Sequence, residues 1–136
     1  MKLTIKKVPI EYVVQTWPYV RGFLEEAAKH CVDYTAEQLK VYLTMGAQEL
    51  LVATDEENKI HGAATIEFIN YPKERVAFVT AMGGRLITGP DTYKQFEDWM
   101  RSRGATKCRG ASRESAARLW ERFGFKPRYI IVEADL

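Results

Sequence analysis

The hydrophobic and polar positions follow two different periods along the chain. Alternation with a period of two, or a short apolar run, marks six segments that we predict to be strands. They are residues 3–8, 49–54, 59–70, 75–82, 106–111 and 128–136. Spacing near 3.6 residues marks four segments that we predict to be helices. They lie between Pro9 and Asp33, from Thr35 to about Met45, from Asp91 to Gly104 and from Ala116 to Gly124.

Local residues set the ends of these helices. Pro18 lies inside the first helical pattern, so we expect that helix to kink there or to restart with Pro18 at its first position. Thr35 and Gln38 have the spacing of a capping box, which predicts the start of the second helix. The element order is therefore β-α-α-β-β-β-α-β-α-β. It predicts a single α/β domain over residues 1–136, with a mixed, mostly antiparallel sheet flanked by helices.

Composition describes an ordinary globular protein of 136 residues, of which 46% are hydrophobic and 28% are charged. The formal net charge of +2 is too small to indicate a nucleic-acid partner. The two cysteines have no CxxC partner and the two histidines have no metal-ligand spacing, so we expect neither a disulfide framework nor a metal site. Neither a membrane-length apolar run nor a signal-peptide start is present, which predicts a cytoplasmic protein without a membrane partner.

Three glycines and a proline precede the third predicted helix: Gly83, Gly84, Gly89 and Pro90. Backbone N–H groups point outward at a helix N-terminus, where the helix dipole is positive, so this place suits a phosphate or pyrophosphate. Arg85 follows the double glycine and Lys94 lies one turn into the helix, which makes both candidates for phosphate contact. Alternatively, the glycines only make a turn after a strand, and the two basic side chains are ordinary surface residues.

The segment AARLWERFGF, residues 116–125, resembles the A-x-x-L-Y-x-x-x-G-F segment of the GNAT family of acetyl-CoA-dependent N-acyltransferases. The piece IHGAA, residues 60–64, is similar to a strand opening of that family, and the element order matches over nearly the whole chain. The resemblance implies a GNAT-type fold, acetyl-CoA as cofactor and a small-molecule or protein amine as acceptor. It places coenzyme binding at Met82, Gly83, Gly84, Arg85, Thr88, Gly89, Lys94 and Arg113.

Three positions depart from the family pattern. The family's Q/R-x-x-G-x-G/A loop, whose amides hold the coenzyme A pyrophosphate, is replaced here by GGRLITGP, in which Pro90 donates no N–H. Trp120 stands where the family has a tyrosine that often acts as general acid, and Arg113 stands where it has an asparagine. Chains with these features resemble small GNAT-like proteins encoded by tailed bacteriophages, which implies a location in the host cytoplasm or in the virion.

Two side chains are candidates for the acid–base chemistry of such a reaction. Glu67 shares one strand face with Thr65 and can accept the proton of an attacking amine; the alternative is a solvent-facing carboxylate. Tyr129 begins the last predicted strand and can replace the missing acid; the alternative is a core or edge aromatic residue. Cys108 has no base beside it in the sequence, so we expect a buried thiol rather than a nucleophile.

Two functions therefore stay open. In the first, the protein is an acyltransferase that binds acetyl-CoA at residues 83–91 and transfers the acetyl group to an amine. In the second, the fold serves a non-catalytic phage protein with a protein partner, either in the particle or as an inhibitor of a host protein. A V-shaped gap between the strands at 75–82 and 106–111, with unoccupied amides from Gly84 to Thr88, favours the enzyme. A gap filled by Trp120 or Arg85 favours the second function.

Overall fold

The structure is a computed structural model that describes residues 1–30 and 33–136. The strands are β1 (Thr4–Val8), β2 (Glu49–Thr54), β3 (Ile60–Asn70), β4 (Arg75–Gly84) and β5 (Lys107–Gly110). The helices are α1 (Val13–Ala28), α2 (Ala36–Met45), α3 (Pro90–Ser102) and α4 (Glu114–Glu121). A short 3₁₀ turn, Ile10–Tyr12, leads into α1. The predicted order of elements is confirmed as far as α4.

The five strands form one sheet in the order β1-β2-β3-β4-β5. The first four strands are antiparallel neighbours, whereas β5 pairs with β4 in parallel. This arrangement confirms the single α/β domain with a mixed, mostly antiparallel sheet. A parallel pair needs a crossover connection, and α3 provides it.

Each face of the sheet is covered by its own hydrophobic core. On one face α1 and α2 bury Val20, Leu24 and Leu39 against strand residues such as Ala63. On the other face α3 buries Phe96 and Met100 against residues such as Ile66 and Ala77. The sheet is therefore buried on both faces, which explains why the sequences of β2 and β4 contain continuous apolar runs.

The predicted helix ends are tested by their hydrogen bonds. The Thr35 hydroxyl accepts the N–H of Gln38 at 3.2 Å and the Gln38 side chain accepts the N–H of Thr35 at 2.9 Å, so the capping box is confirmed. The predicted restart at Pro18 is wrong, because α1 runs through it as one helix. The carbonyl that loses its partner belongs to Val14, whose side chain is exposed, so water can bond to it. Cys31 lies outside the described residues.

The predicted strand at residues 128–136 is wrong, because this segment has no regular secondary structure. The apolar residues Tyr129 to Val132 give it a high β-propensity, but that propensity expresses fit to a pleated and half-buried surface. No neighbouring strand of the described chain pairs with the segment. A strand needs such a partner for its backbone groups.

Among the described helices, none is long and apolar enough to cross a bilayer.

Candidate active site

β4 separates from β5 halfway along its length. The last register pair between the two strands joins Val79 to Gly110. On its other side β4 carries one more residue than β3 at this point, because the pairing skips Thr80. Such a β-bulge bends its strand, and here the bend begins where the parallel pairing ends. Residues 80–84 of β4 therefore have no strand partner on the β5 side within the described chain, as the predicted V-shaped gap requires.

A chain of buried polar groups holds this bulge. The Oγ1 atoms of Thr65 and Thr80 lie 2.6 Å apart, and the Thr80 hydroxyl donates to Oε1 of Gln48, also at 2.6 Å. Gln48 is only 4% exposed and Thr65 is fully buried. Buried polar groups are costly unless they are paired, so these three side chains fix one another at the point where β4 bends.

Glu67, the predicted base, lies two residues beyond Thr65 on the same face of β3. Its side chain is half-buried. Burial raises the pKa of the Tyr34 phenol, and the negative charge of Glu67 adds to the effect, so the two side chains lie near each other. Glu67 therefore lies near Tyr34, in the loop that precedes α2, and on the strand face that carries Thr65, which is compatible with its predicted role.

Gly83 and Gly84 end β4 and lie against α1, so they are part of a strand rather than of a turn. A Cβ on Gly83 would lie 2.1 Å from the carbonyl oxygen of Phe23, and one on Gly84 would lie 2.5 Å from the Phe23 ring. Gly84 also has a φ of 71°, which other residues rarely adopt. Packing against α1 therefore requires both glycines, whatever the loop binds.

The start of α3 is partly closed by its own side chains. Gly89 caps the helix, and the N–H groups of Thr88 and Gly89 donate to Oγ1 of Thr92 at 2.8 and 3.2 Å. Arg85 donates its N–H to the carbonyl of His61 at 2.8 Å. Three of the amides proposed for phosphate binding are thus satisfied within the chain. A Cβ added at Gly89 would meet open space, so the outer side of the helix start is accessible.

The other predicted coenzyme contacts differ in their surroundings. The side chains of Arg85 and Arg113 are exposed, and Arg113 occupies the N-cap position of α4 without a capping hydrogen bond from its side chain. Lys94 pairs with Asp98 at 2.6 Å on the surface of α3. Met82 is half-buried and packs against the core beneath α3. The two arginines can therefore meet a phosphate without breaking an existing ion pair.

Trp120 belongs to an aromatic group that fastens α4 to α3. Its ring centroid lies 6.2 Å from that of Phe123 and 5.1 Å from that of Phe125. Tyr93 of α3 stacks on Phe123 at 4.7 Å. Burial is the first cause that raises the pKa of the Tyr93 phenol. Packing accounts for a tryptophan at a position where the GNAT pattern has a tyrosine.

The two remaining candidates lie apart from this chemistry. Tyr129 is 68% exposed in the segment after α4, which leaves its predicted acid role without structural support. Cys108 is half-buried against the core beneath α3, and burial raises the pKa of its thiol to about 12, which argues against a thiolate nucleophile.

Sequence reasoning missed Thr80 and Gln48. Thr80 is a polar residue inside the apolar run VAFVTAM, and Gln48 precedes a strand that is otherwise buried. A lone polar residue in a buried strand indicates a bulge or a hydrogen-bonded network, and this signal was available.

A cavity of about 370 Å³ is lined by Gln48 of the bulge network and extends to Arg75 at the start of β4. There Lys7 and Arg103 hold the Glu49 carboxylate at 2.9 and 2.8 Å. The Glu49 carboxylate compensates only one of these two cations, and Gly83 and Gly84 are not among the lining residues, so we assign this cavity no part in the site.

Comparisons with known proteins find similar solved structures, but no match by sequence. No protein-family model matches the sequence, and no curated protein matches it significantly. Solved acetyltransferase structures do match. The ribosomal-protein-alanine N-acetyltransferase of Brucella melitensis biovar Abortus 2308 superposes with a TM-score of 0.69 at 14% identity, covering 99% of both chains. The fold is of the GNAT type.

Two further structures agree. A predicted acetyltransferase from Clostridium acetobutylicum, solved with acetyl-CoA, has a TM-score of 0.67 at 15% identity, covering 98% of this chain and 96% of its own. A Trypanosoma brucei acetyltransferase has a TM-score of 0.62 at 17% identity, covering 99% of this chain and all of its own. The GNAT-type fold thus extends over essentially the whole of the chain.

Proposed function

We propose that the protein is an acyl-CoA-dependent N-acyltransferase that acetylates an amine. The observation that carries the proposal is the divergence of β4 from β5 at Thr80, on the strand that leads through residues 85–89 into the start of α3. A strand edge without a partner can bond to an extended, amide-bearing ligand, and a helix start favours a phosphate. One gap therefore offers both features that an acyl-CoA needs.

The residues around the gap fit acetyl-CoA. Residues 80–84 offer a backbone edge, the start of α3 offers a positive dipole, and Arg85 and Arg113 offer exposed cations. Acetyl-CoA supplies an activated thioester, so the protein needs to position it beside the amine and to take up a proton. The pyrophosphate would meet the outer side of the helix start at Gly89, because the amides of Thr88 and Gly89 donate to Thr92.

Glu67 is the residue that we propose to take the amine proton. It is half-buried near the Tyr34 phenol, on the β3 face where Thr65 contacts the bulge. A carboxylate within reach of the gap, directly or through one water, can keep the amine neutral for attack. Trp120 has no acidic proton near neutral pH and Tyr129 lies in the exposed segment after α4, so we propose that solvent protonates the leaving thiolate.

A second candidate function is a non-catalytic role. Two observations favour it: Thr92 accepts two of the loop N–H groups, and Gly83 packs against Phe23. These contacts explain the glycines and the shape of the loop without any ligand. In that case the protein is a GNAT-fold binding protein with a protein partner. The phage origin and the cytoplasmic or virion location stay predictions from the sequence under either function.

Calorimetric titration with acetyl-CoA tests the first proposal. Gly89→Glu places a carboxylate at the start of α3 without steric conflict, since the backbone there is extended and the Cβ meets open space. Gly89→Gln is the matched control, because it has nearly the same shape and no charge. We expect saturable binding that Gly89→Glu weakens about tenfold or more and Gly89→Gln largely retains. Absence of heat at millimolar acetyl-CoA with a folded protein would overturn the enzyme and favour the second function.

A further inference from the structure

The cavity outside the gap between β4 and β5 has a lining of its own. It extends from Gln48 to Arg75 with a volume of about 370 Å³, and we refer to it as the Arg75 cavity. It lies where β3 extends beyond its neighbour, because β2 begins at Glu49, opposite Ile66, whereas β3 continues to Asn70. A volume of this size is within the range of about 300–1,000 Å³ that is typical of sites for small ligands.

Three basic side chains and one carboxylate line the Arg75 cavity. Lys7, Arg75 and Arg103 carry three positive charges and Glu49 carries one negative charge, which leaves the lining with a formal net charge of +2. Lys7 and Arg103 approach the same oxygen of Glu49, Oε1, at 2.9 and 2.8 Å, but neither contact has the geometry of a hydrogen bond. The N–H groups of both cations therefore stay available to a further acceptor.

Arg75 is held in place by neutral partners. Its Nε–H donates to the backbone oxygen of Arg103 at 2.9 Å, and its Nη1 donates to Oδ1 of Asn70 at 2.8 Å. Its guanidinium carbon lies 4.7 Å from the centroid of the Phe68 ring. These contacts fix the guanidinium but leave most of its five N–H donors unused.

No carboxylate of the described chain forms an ion pair with Arg75. Glu74, its neighbour in sequence, pairs with Arg109 at 2.7 Å, and Glu49 is taken by Lys7 and Arg103. A fixed guanidinium with unused N–H groups can bind a phosphate or carboxylate through two parallel hydrogen bonds. Arg75 is therefore the residue of this cavity that is best prepared to bind an oxyanion.

The rest of the lining is mostly apolar. Val8, Leu43 and Leu50 belong to the core beneath α1 and α2, whereas Ile66 and Phe68 belong to the core beneath α3. A free inorganic ion would leave this apolar surface in water, but a ligand with an apolar body would cover it. Small-ligand sites commonly combine an apolar lining with a few polar groups that orient the ligand.

We propose that the Arg75 cavity binds an organic oxyanion, meaning a phosphate or carboxylate group on an apolar body. The anionic group bonds to the unused N–H groups of Arg75, and Lys7 and Arg103 add positive charge. The net charge of +2 favours a dianion, so a phosphate monoester is the first choice. The proposal is independent of the proposed acyltransferase activity, because neither Gly83 nor the start of α3 lines the cavity.

Titration of the whole chain with phenyl phosphate, followed by NMR of the backbone amides, tests the proposal. Phenyl phosphate carries nearly two negative charges near neutral pH. We expect saturable shifts in residues 46–50 and 66–70, which border the cavity, and no comparable shifts in residues 85–91. Phenol lacks the charge and inorganic phosphate lacks the ring, so each should bind about tenfold or more weakly. Benzoate, titrated in the same way, shows whether a carboxylate can replace the phosphate.

Three variants assign the binding to the cavity. Arg75→Gln should weaken phenyl phosphate binding about tenfold or more, because it removes the fixed cation. Arg101→Gln is the matched control, since it removes the same charge from α3 at a side chain that is 71% exposed and does not line the cavity. It should leave the affinity unchanged. Arg75 also bonds within the fold, so Lys7→Gln is a second variant that should weaken binding, and circular dichroism checks that each variant is folded.

Several results would overturn the proposal. Absence of saturation at millimolar phenyl phosphate would exclude the site. Equal affinity for phenol would show that charge has no part in it, and equal affinity for inorganic phosphate would show the same for the apolar lining. Unchanged affinity in Arg75→Gln and in Lys7→Gln would place the ligand elsewhere. Shifts that centre on residues 85–91 and are reversed by acetyl-CoA would place it at the start of α3.

Discussion

The Oγ1 atoms of Thr65 and Thr80 lie 2.6 Å apart across the junction of β3 and β4. The Thr80 hydroxyl also donates to Gln48, at 2.6 Å, so it links the bulge to the residue before β2. Thr65 and Gln48 are buried, and water cannot easily replace the Thr80 hydroxyl as their partner. The position at which β4 leaves β5 therefore depends on this one hydroxyl group.

We expect Thr80→Val to lower the free energy of unfolding by roughly 1–3 kcal/mol, because it leaves a buried amide oxygen without its donor. Thr80→Ser keeps the hydroxyl and should cost clearly less. Urea unfolding followed by fluorescence measures both. Equal losses in the two variants would contradict the prediction, because the hydroxyl that only Thr80→Val removes would then contribute no more than the methyl group that only Thr80→Ser removes.

A substitution at Gly83 gives a second prediction about stability. Its added Cβ would lie 2.1 Å from the backbone oxygen of Phe23, so Gly83→Ala must displace α1 or β4. We expect a loss at or above the upper end of the range of about 1–3 kcal/mol that is typical of overpacking. Gly89→Ala, with no atom within 4 Å of its Cβ, is the control and should cost clearly less, about 1 kcal/mol or below, because alanine is a poorer N-cap residue than glycine. If Gly83→Ala leaves the free energy of unfolding unchanged, packing against α1 does not require the glycine, and ligand binding would remain as its role.

Elements specified by neighbouring residues could be predicted from the sequence. The capping box of Thr35 and Gln38 is local, and the alternation of β3 follows from residues in one strand. Residues 128–136 have an equally clear strand propensity but form no strand, because pairing depends on an edge far away in the chain. The strand propensity of residues 128–136 is visible in the sequence, but it does not indicate which strand would pair with them.

The candidate site shows the same limit. The sequence predicted the gap between the strands at 75–82 and 106–111, where β4 and β5 separate. It assigned Gly83 and Gly84 to a ligand, although their contacts are with Phe23, some 60 residues earlier. The use of loop amides by Thr92 was also missed, although a threonine three residues after Gly89 is a local capping signal. Contacts distant in sequence decide which residues are available to a cofactor.

The pair of Asp55 and His61 predicts a pH dependence of stability. Nε2 of His61 lies 2.8 Å from the Asp55 carboxylate, and this hydrogen bond is the first cause that holds the pKa of Asp55 below its ordinary value of 3.8. The N–H groups of Lys59 and Glu57 lower it further. A depressed pKa contributes stability that is present above the ordinary value and is lost as the pH falls through the lower pKa of the folded state.

Asp55→Asn should therefore destabilise the protein near neutral pH, and the difference from wild type should shrink as the pH falls below 3.8 and through the lower pKa of the folded state. Urea unfolding at several pH values measures this. Glu57→Gln is the control from the same turn, and it should show a much smaller difference at every pH. A difference between Asp55→Asn and wild type that is constant across the pH range would contradict the assignment to the carboxylate charge.

Glu67 gives the prediction that bears most directly on catalysis. If its carboxylate takes the proton from the attacking amine, Glu67→Gln should lower kcat by about 10²–10⁴-fold and leave acetyl-CoA binding unchanged. The loss should shrink at higher pH, because a larger share of the acceptor amine is then already neutral. Release of the coenzyme A thiol measures the rate against a panel of primary amines and peptide N-termini. Glu56→Gln, in the exposed turn after β2, is the control and should keep full activity. A variant with normal kcat and an unchanged pH profile would exclude Glu67 as the base and leave proton removal to water in the gap.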